Sequence, residues 1–182
     1  MKPDNRVTLV CIGPVDPFGN VALVDAERLA ELSAFDWLIN RKRNGNYAER
    51  RELIDGRSQK VTLHQFVFGP VPIGFEIDHR NGNTMDDRRE NLRLATTQQN
   101  AQNRIKVAGH SSRFKGVSFD KRDDKWRAKA QHPLTRQLVQ LGRFDLTPDG
   151  EIAAARVYDD YARMWHGEFA RLNFPNDSTC PH

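Results

Sequence analysis

The segment from Phe75 to Asn100 leaves the chain the least freedom. Phe75 and Ile77 alternate with Glu76, the period of a half-buried strand, and the run stops at Asp78-His79. Asn81-Gly82-Asn83 then reads as a tight turn, because Asn and Gly enter the left-handed backbone region at little cost. Leu92 and Leu94 alternate with Arg93 as a second short strand, and Thr96 or Thr97 can cap a helix whose first turn carries Asn100. The pattern predicts a strand, a loop, a strand and a helix, folded so that Asp78, His79, Asn91 and Asn100 converge.

These residue types suit metal-assisted hydrolysis of a phosphodiester. A carboxylate and an amide oxygen are hard ligands for Mg²⁺ or Mn²⁺, which keep waters and accept phosphate oxygens at their other positions. A neutral imidazole beside such a cation can deprotonate the attacking water. Adjacent strand residues face opposite ways, so Asp78 and His79 need a bulge or a strand end to serve one centre, and Asn91 can hold such a bend by bonding backbone groups near His79. The same reading requires the His79 ring to reach solvent. Taken singly, an Asp-His pair is ordinarily a surface or capping pair. A calcium loop fails on register, since from Asp78 the Gly falls one place early and Arg80 occupies a ligand position.

With its flanks, Asn-Leu-Arg-Leu-Ala-Thr and Gln-Asn-Ala-Gln-Asn-Arg, the segment resembles the HNH nucleases of the His-Me finger class in their phage homing-endonuclease form. The resemblance implies Asp78 and Asn100 as metal ligands, His79 as general base and Asn91 as the residue that orients it. It implies one divalent cation, Mg²⁺ with Mn²⁺ as the alternative, and double-stranded DNA as substrate. Asn100 stands where the class name has His, which disfavours a zinc-type site, and Asn103 offers a further amide one turn along.

Composition is compatible with this reading. The chain has 182 residues, 38% hydrophobic and 29% charged, enough for one large domain or two small ones. Its net charge is only +4, but basic residues predominate from Arg88 to Lys129, whereas acidic ones gather before Glu52 and after Asp145. The two cysteines, Cys11 and Cys180, are far apart and form no zinc or disulfide pattern. The apolar run Val7 to Ile12 is too short for a signal peptide, and no stretch approaches the roughly 20 apolar residues of a membrane helix. The expected setting is the cytoplasm of a bacterial or phage-infected cell, with no membrane and no obligate protein partner.

Upstream of the finger, Val7–Leu9 and Val21–Val24 read as strands separated by turn signals at Gly13-Pro14 and Pro17-Phe18-Gly19-Asn20. Asp25 can cap a short helix through Leu32. Trp37 to Tyr47 reads as a hairpin with a basic tip at Arg41-Lys42-Arg43, and Leu63, Phe66 and Val67 have helical spacing that Gly69-Pro70 ends. His64 is a candidate for the rim of the site, with packing against the core the preferred role.

Past Asn100 the helix is expected to run to about Val107, and Gly109-His110-Ser111-Ser112 reads as a linker. Phe114–Phe119, Lys125–Gln131 and Gln137–Phe144 then read as three strands, with Trp126, Ala128 and Ala130 on one face and Arg127, Lys129 and Gln131 on the other. Pro148 to Trp165 reads as one amphipathic helix. Lys115-Gly116-Val117, Lys125-Trp126-Arg127-Ala128, Leu141-Gly142-Arg143-Phe144, Tyr158-Asp159 and Leu172-Asn173-Phe174-Pro175 resemble the plant APETALA2/ethylene-response-factor domain. That resemblance implies a sheet face that reads the major groove through Lys115, Ser118, Arg127 or Lys129, Gln131, Leu138 and Gln140. Several of these positions hold Arg or Trp in the plant proteins, so their target does not transfer.

The expected fold is α+β. It comprises an HNH domain at 1–108 (a β-rich N-terminal region at 1–72, then the finger at about 73–106), a linker at 109–112, the sheet-and-helix module at 113–176 and a tail at 177–182. Arg80, Arg93 and Arg104 join the sheet residues as expected DNA contacts. The expected activity is endonucleolytic cleavage of duplex DNA by a homing or free-standing enzyme. Its rivals are a non-catalytic DNA-binding regulator with a relic finger and, more distantly, an RNA-directed protein, which would need exposed aromatic platforms.

Overall fold

A computed structural model describes residues 7–11, 21–43 and 45–177. Contacts divide the chain into two units, Met1–Thr97 and Gln98–His182. Both carry small antiparallel sheets with helices, an α+β arrangement.

In the first unit β1 (Val7–Cys11) and β2 (Val21–Asp25), both expected as strands, pair antiparallel. The turn signals between them and Cys180 lie outside the described residues. Asp25 stands at the N-cap position of the turn that leads into the helix, but its side chain makes no capping bond. A 3₁₀ turn at Ala26–Arg28 precedes the one-turn α1 (Leu29–Leu32), and the Asp25 carboxylate instead accepts from the amide of Arg89 at 2.8 Å. The predicted hairpin is present as β3 (Leu38–Lys42) and β4 (Gly45–Ile54), and it grows into a three-stranded sheet by adding β5 (Arg57–Thr62). The sequence reading missed β5 because charged residues along it carry no clean alternation. Its place comes from pairing with β4 across the Asp55-Gly56 turn, where both residues have positive φ.

Thr62 then starts α2 (Leu63–Phe68), its amide bonded to the Gln65 side chain at 3.3 Å, and Gly69 ends it at φ 90°. Leu63 and Val67 face a core of Ala22, Val24, Leu32, Trp37, Ala48, Met85 and Leu92. The buried indole N–H of Trp37 is satisfied by the carbonyl of Leu32 at 3.1 Å. β6 (Phe75–His79) and β7 (Leu92–Thr96) form the predicted two-stranded ribbon, in the register Asp78 opposite Arg93 and His79 opposite Leu92.

The helix that follows, α3 (Thr97–Asn103), is shorter than expected. Lys106 turns its ammonium onto the carbonyls of Phe114 and Val117 at 2.6 and 2.7 Å, and that chain path leaves the helical track. In the second unit β8 (Val117–Asp120), β9 (Lys125–Gln131) and β10 (Leu138–Asp145) make an antiparallel sheet in the order β10-β9-β8. The sheet packs on α4 (Pro148–His166) through Val117, Ala128, Ala130, Ala154, Ala155, Tyr158 and Ala162. The small residues allow close approach. Gly116, at φ 78°, lies so close to the Tyr158 ring that a β-carbon there would collide with it. The buried carboxylate of Asp159 accepts from the amides of Asn173 and Phe174 at 2.8 Å each and from the Asn173 side chain at 2.9 Å. It thereby ties the Leu172–Pro175 segment onto α4. Among the described residues no helix is long and apolar enough to cross a membrane.

Candidate active site

Asp78 and His79 end β6 and take different partners. The Asp78 carboxylate accepts from Nε of Arg93, directly across the ribbon, at 2.8 Å, and both residues are buried. The His79 Nε2 lies 2.9 Å from Oδ1 of Asp87. Tyr47 and His64 stand edge-on to its ring at centroid distances of 6.4 and 5.3 Å. His79 is only 6% exposed, so the expectation that its ring reach solvent is not met: the ring is buried behind Tyr47, His64 and Asp87.

The loop between β6 and β7 is built to present Asp87. Leu23 of β2 clamps it on both sides: the Leu23 amide donates to the carbonyl of Met85, and the amide of Asp87 donates to the carbonyl of Leu23, each at 2.8 Å. Asn91 closes the loop from beneath. Its side chain accepts from the amide of Asn81 at 2.9 Å and donates to the carbonyl of Asp86 at 2.7 Å, while its own carbonyl accepts from the amide of Arg80 at 2.8 Å. Asn91 thus holds backbone at two points of the loop that follows His79 and does its work through that loop. Asp86 is fixed by Asn81 and by both arms of Arg88, at 2.7 Å each. Burial works against its charge, yet these donors prevail and keep its carboxyl below the usual range.

Asp87 is the residue that the sequence reading missed. It is 1% exposed; burial pushes its carboxyl up, against the pull of the hydrogen bond to His79. Its Oδ2 is buried with no hydrogen-bond partner. Met-Asp-Asp-Arg reads as loop in the sequence, and only the Leu23 clamp makes it a wall of the site. His64, set aside as packing, also belongs to this group: burial, with the nearby charges of His79, Lys42 and Lys60, holds its pKa down to about 3. His64, His79 and Asp87 offer ligand atoms that all lie within 4.8 Å of one another, an arrangement able to hold a metal ion.

The remaining predicted residues fall in two sets. Asn100 stands on α3, and Arg104 just beyond it is exposed. Arg80 is exposed, whereas Arg93 is committed to Asp78. In the second unit the register lines up Ser118, Arg127 and Arg143, then Lys129 with Gln140, then Gln131 with Leu138, on the face opposite the buried Ala128 and Ala130. Arg127 pairs with Asp120 at 3.1 Å, and the Gln131 amide donates to the carbonyl of Arg136 at 2.9 Å. Lys115 is not on this face: its ammonium donates to the carbonyls of Ala101 and Gln102 in the last turn of α3 and of Arg104 just beyond it.

The ribbon that ends in Asp78-His79, the loop held by Asn91, and Asn100 all lie inside the stretch that the family comparison picks out. Residues 61–102 match the HNH endonuclease family model. Protein 3.8 of Escherichia phage T7 is 41% identical over 110 residues, which cover 57% of this chain and 80% of that protein. An uncharacterized HNH endonuclease of Acanthamoeba polyphaga mimivirus is 26% identical over 160 residues, 85% of this chain and 75% of its own. The chain belongs to the HNH endonuclease family, whose members are phosphodiester hydrolases. No solved structure is significantly similar to it.

Proposed function

We propose that the protein is a metal-dependent endonuclease acting on duplex DNA, as a homing or free-standing phage-type enzyme. The observation that carries the reading is His79, at the end of β6 inside the family match, with Nε2 2.9 Å from a buried carboxylate. That bond fixes the ring plane and, with Nε2 protonated, leaves Nδ1 as the basic nitrogen. His79 takes the proton of the attacking water there. Asn91 maintains the bend that presents the ring.

Asp78 and Asn100 are the proposed holders of the cation, carried over from the family pattern. A carboxylate and an amide oxygen fit Mg²⁺ or Mn²⁺, and the Arg93 guanidinium holds the Asp78 carboxylate in a fixed orientation. When bound, the cation supplies charge stabilisation to the phosphate and the departing 3′ oxygen. The products are then a 5′ phosphate and a 3′ hydroxyl. Ser118, Arg127, Lys129, Gln131, Leu138 and Gln140, together with Arg143, form a polar face suited to a DNA groove, in the manner of an APETALA2-like sheet. Arg80 and Arg104 add exposed positive charge for phosphates.

Supercoiled plasmid incubated with Mg²⁺ tests the proposal. Nicked or linear product that EDTA abolishes and Mg²⁺ restores is expected. Shifted but intact plasmid under every divalent ion would favour the non-catalytic regulator.

A further inference from the structure

His64, His79 and Asp87 come from three separate elements, α2, β6 and the loop that Leu23 clamps, yet their ligand atoms lie within 4.8 Å of one another. Two imidazoles and one carboxylate form a donor set of borderline softness. It suits Zn²⁺ and its neighbours in the transition series better than Mg²⁺. A tetrahedral ion with bonds of about 2.0–2.1 Å places its ligand atoms roughly 3.4 Å apart, so small side-chain rotations close the triangle. A second observation points the same way. Asp87 Oδ2 is fully buried with no hydrogen-bond partner, an acceptor for which the protein supplies no donor. Thr62 Oγ1 lies 3.1 Å from Nε2 of His64, the outer-shell contact that orients a ligating imidazole. Lys42 and Lys60, whose charges are felt at His64, oppose a dication and keep the affinity modest.

We propose that these three residues form an inhibitory site for a borderline transition-metal cation of the Zn²⁺ type, separate from the oxygen-donor site that supports hydrolysis. The consequence follows from one shared residue. A lone pair of His79 given to a cation is no longer available to a water proton, so occupation of this site switches cleavage off. The regulatory half of the inference rests on His79 being the base; the binding half does not.

Binding and inhibition are therefore measured separately on the full chain. Metal-stripped protein is titrated with Co²⁺ as a spectroscopic probe and then with Zn²⁺, and cleavage at fixed Mg²⁺ is followed as Zn²⁺ is raised. The wild type should give visible Co²⁺ bands that one equivalent of Zn²⁺ removes. His64→Phe keeps an edge-on ring beside His79. It should lose the bands, and the cleavage it retains in Mg²⁺ should need at least about tenfold more Zn²⁺ for half-inhibition. Histidine side-chain ¹⁵N spectra of the wild type supply a readout independent of any variant: the His64 and His79 nitrogens should shift together on adding Zn²⁺. Shifts confined to other histidines, or equal inhibition of wild type and His64→Phe, would overturn the site. Loss of bands in His64→Phe with no cleavage by the wild type would keep the metal site and sink the regulatory half.

Discussion

At the residue scale, the site depends on which side chain faces which. Asp78 and His79 are neighbours in sequence but take different partners, one Arg93 and the other Asp87. Asp87 holds the His79 ring through its Nε2, so the effect of removing it should be more than steric. Asp87→Asn should lower the cleavage rate by about tenfold or more and shift the acidic limb of the pH–rate profile, with DNA binding unchanged. An unshifted profile would assign Asp87 to packing alone. His64 gives a second handle. Its folded pKa, about 3, lies below the ordinary imidazole value, so the unfolded chain binds the proton more tightly. The contribution of His64 to stability is therefore complete above about pH 6.5 and is lost as the pH falls from there toward 3. The raised carboxyl of Asp87 acts in the opposite sense near and above its ordinary range, so the comparison belongs between pH 6.5 and 5. In EDTA, thermal unfolding of His64→Phe should fall less steeply across that window than that of the wild type. Parallel slopes would contradict the burial of a neutral His64.

At the element scale, much of the chain was legible because local signals agreed with tertiary need. The strand–turn–strand from Phe75 to Thr96, α2 between Thr62 and Gly69, β9 with Ala128 and Ala130 inward, and α4 all sit where alternation, caps and spacing put them. The failures have local causes. Asp25 has the chemistry of a cap but spends its carboxylate on the amide of Arg89, far along the chain. β5 is held by backbone pairing and not by an apolar stripe. The C-terminal half of the expected α3 is replaced by a segment whose Lys106 satisfies the carbonyls of Phe114 and Val117. In the second unit, Asp159 shows how one carboxylate can close an element. It carries three hydrogen bonds from the Asn173-Phe174 segment. Asp159→Ala leaves those donors unmet in a buried site and should destabilise the unit by about 2–3 kcal/mol, read as a lower denaturant midpoint. A loss below about 0.5 kcal/mol would mean that the segment is held elsewhere.

At the scale of the whole molecule, the chain combines the stretch that matches the HNH endonuclease family with a sheet-and-helix unit that offers a polar face. The motif spacing from Asp78 to Asn100 was visible in the sequence, and so was the alternation that places Arg127, Lys129 and Gln131 opposite the core of the second unit. The enclosure of His79 was not visible, because it is made by residues distant in sequence: Tyr47 from β4, His64 from α2 and Asp87 from a loop clamped by β2. Nor could the sequence show that Lys115 serves the end of α3, since only the folded chain brings those carbonyls to its ammonium. The central claim is that binding and cutting are separable and that His79 belongs to the cutting alone. The most direct measurement compares wild type and His79→Ala on one duplex, reading retardation in a gel and product formation in Mg²⁺ side by side. Unchanged retardation with cleavage reduced roughly 10²–10⁴-fold is the predicted result. Cleavage at the wild-type rate by His79→Ala would contradict it.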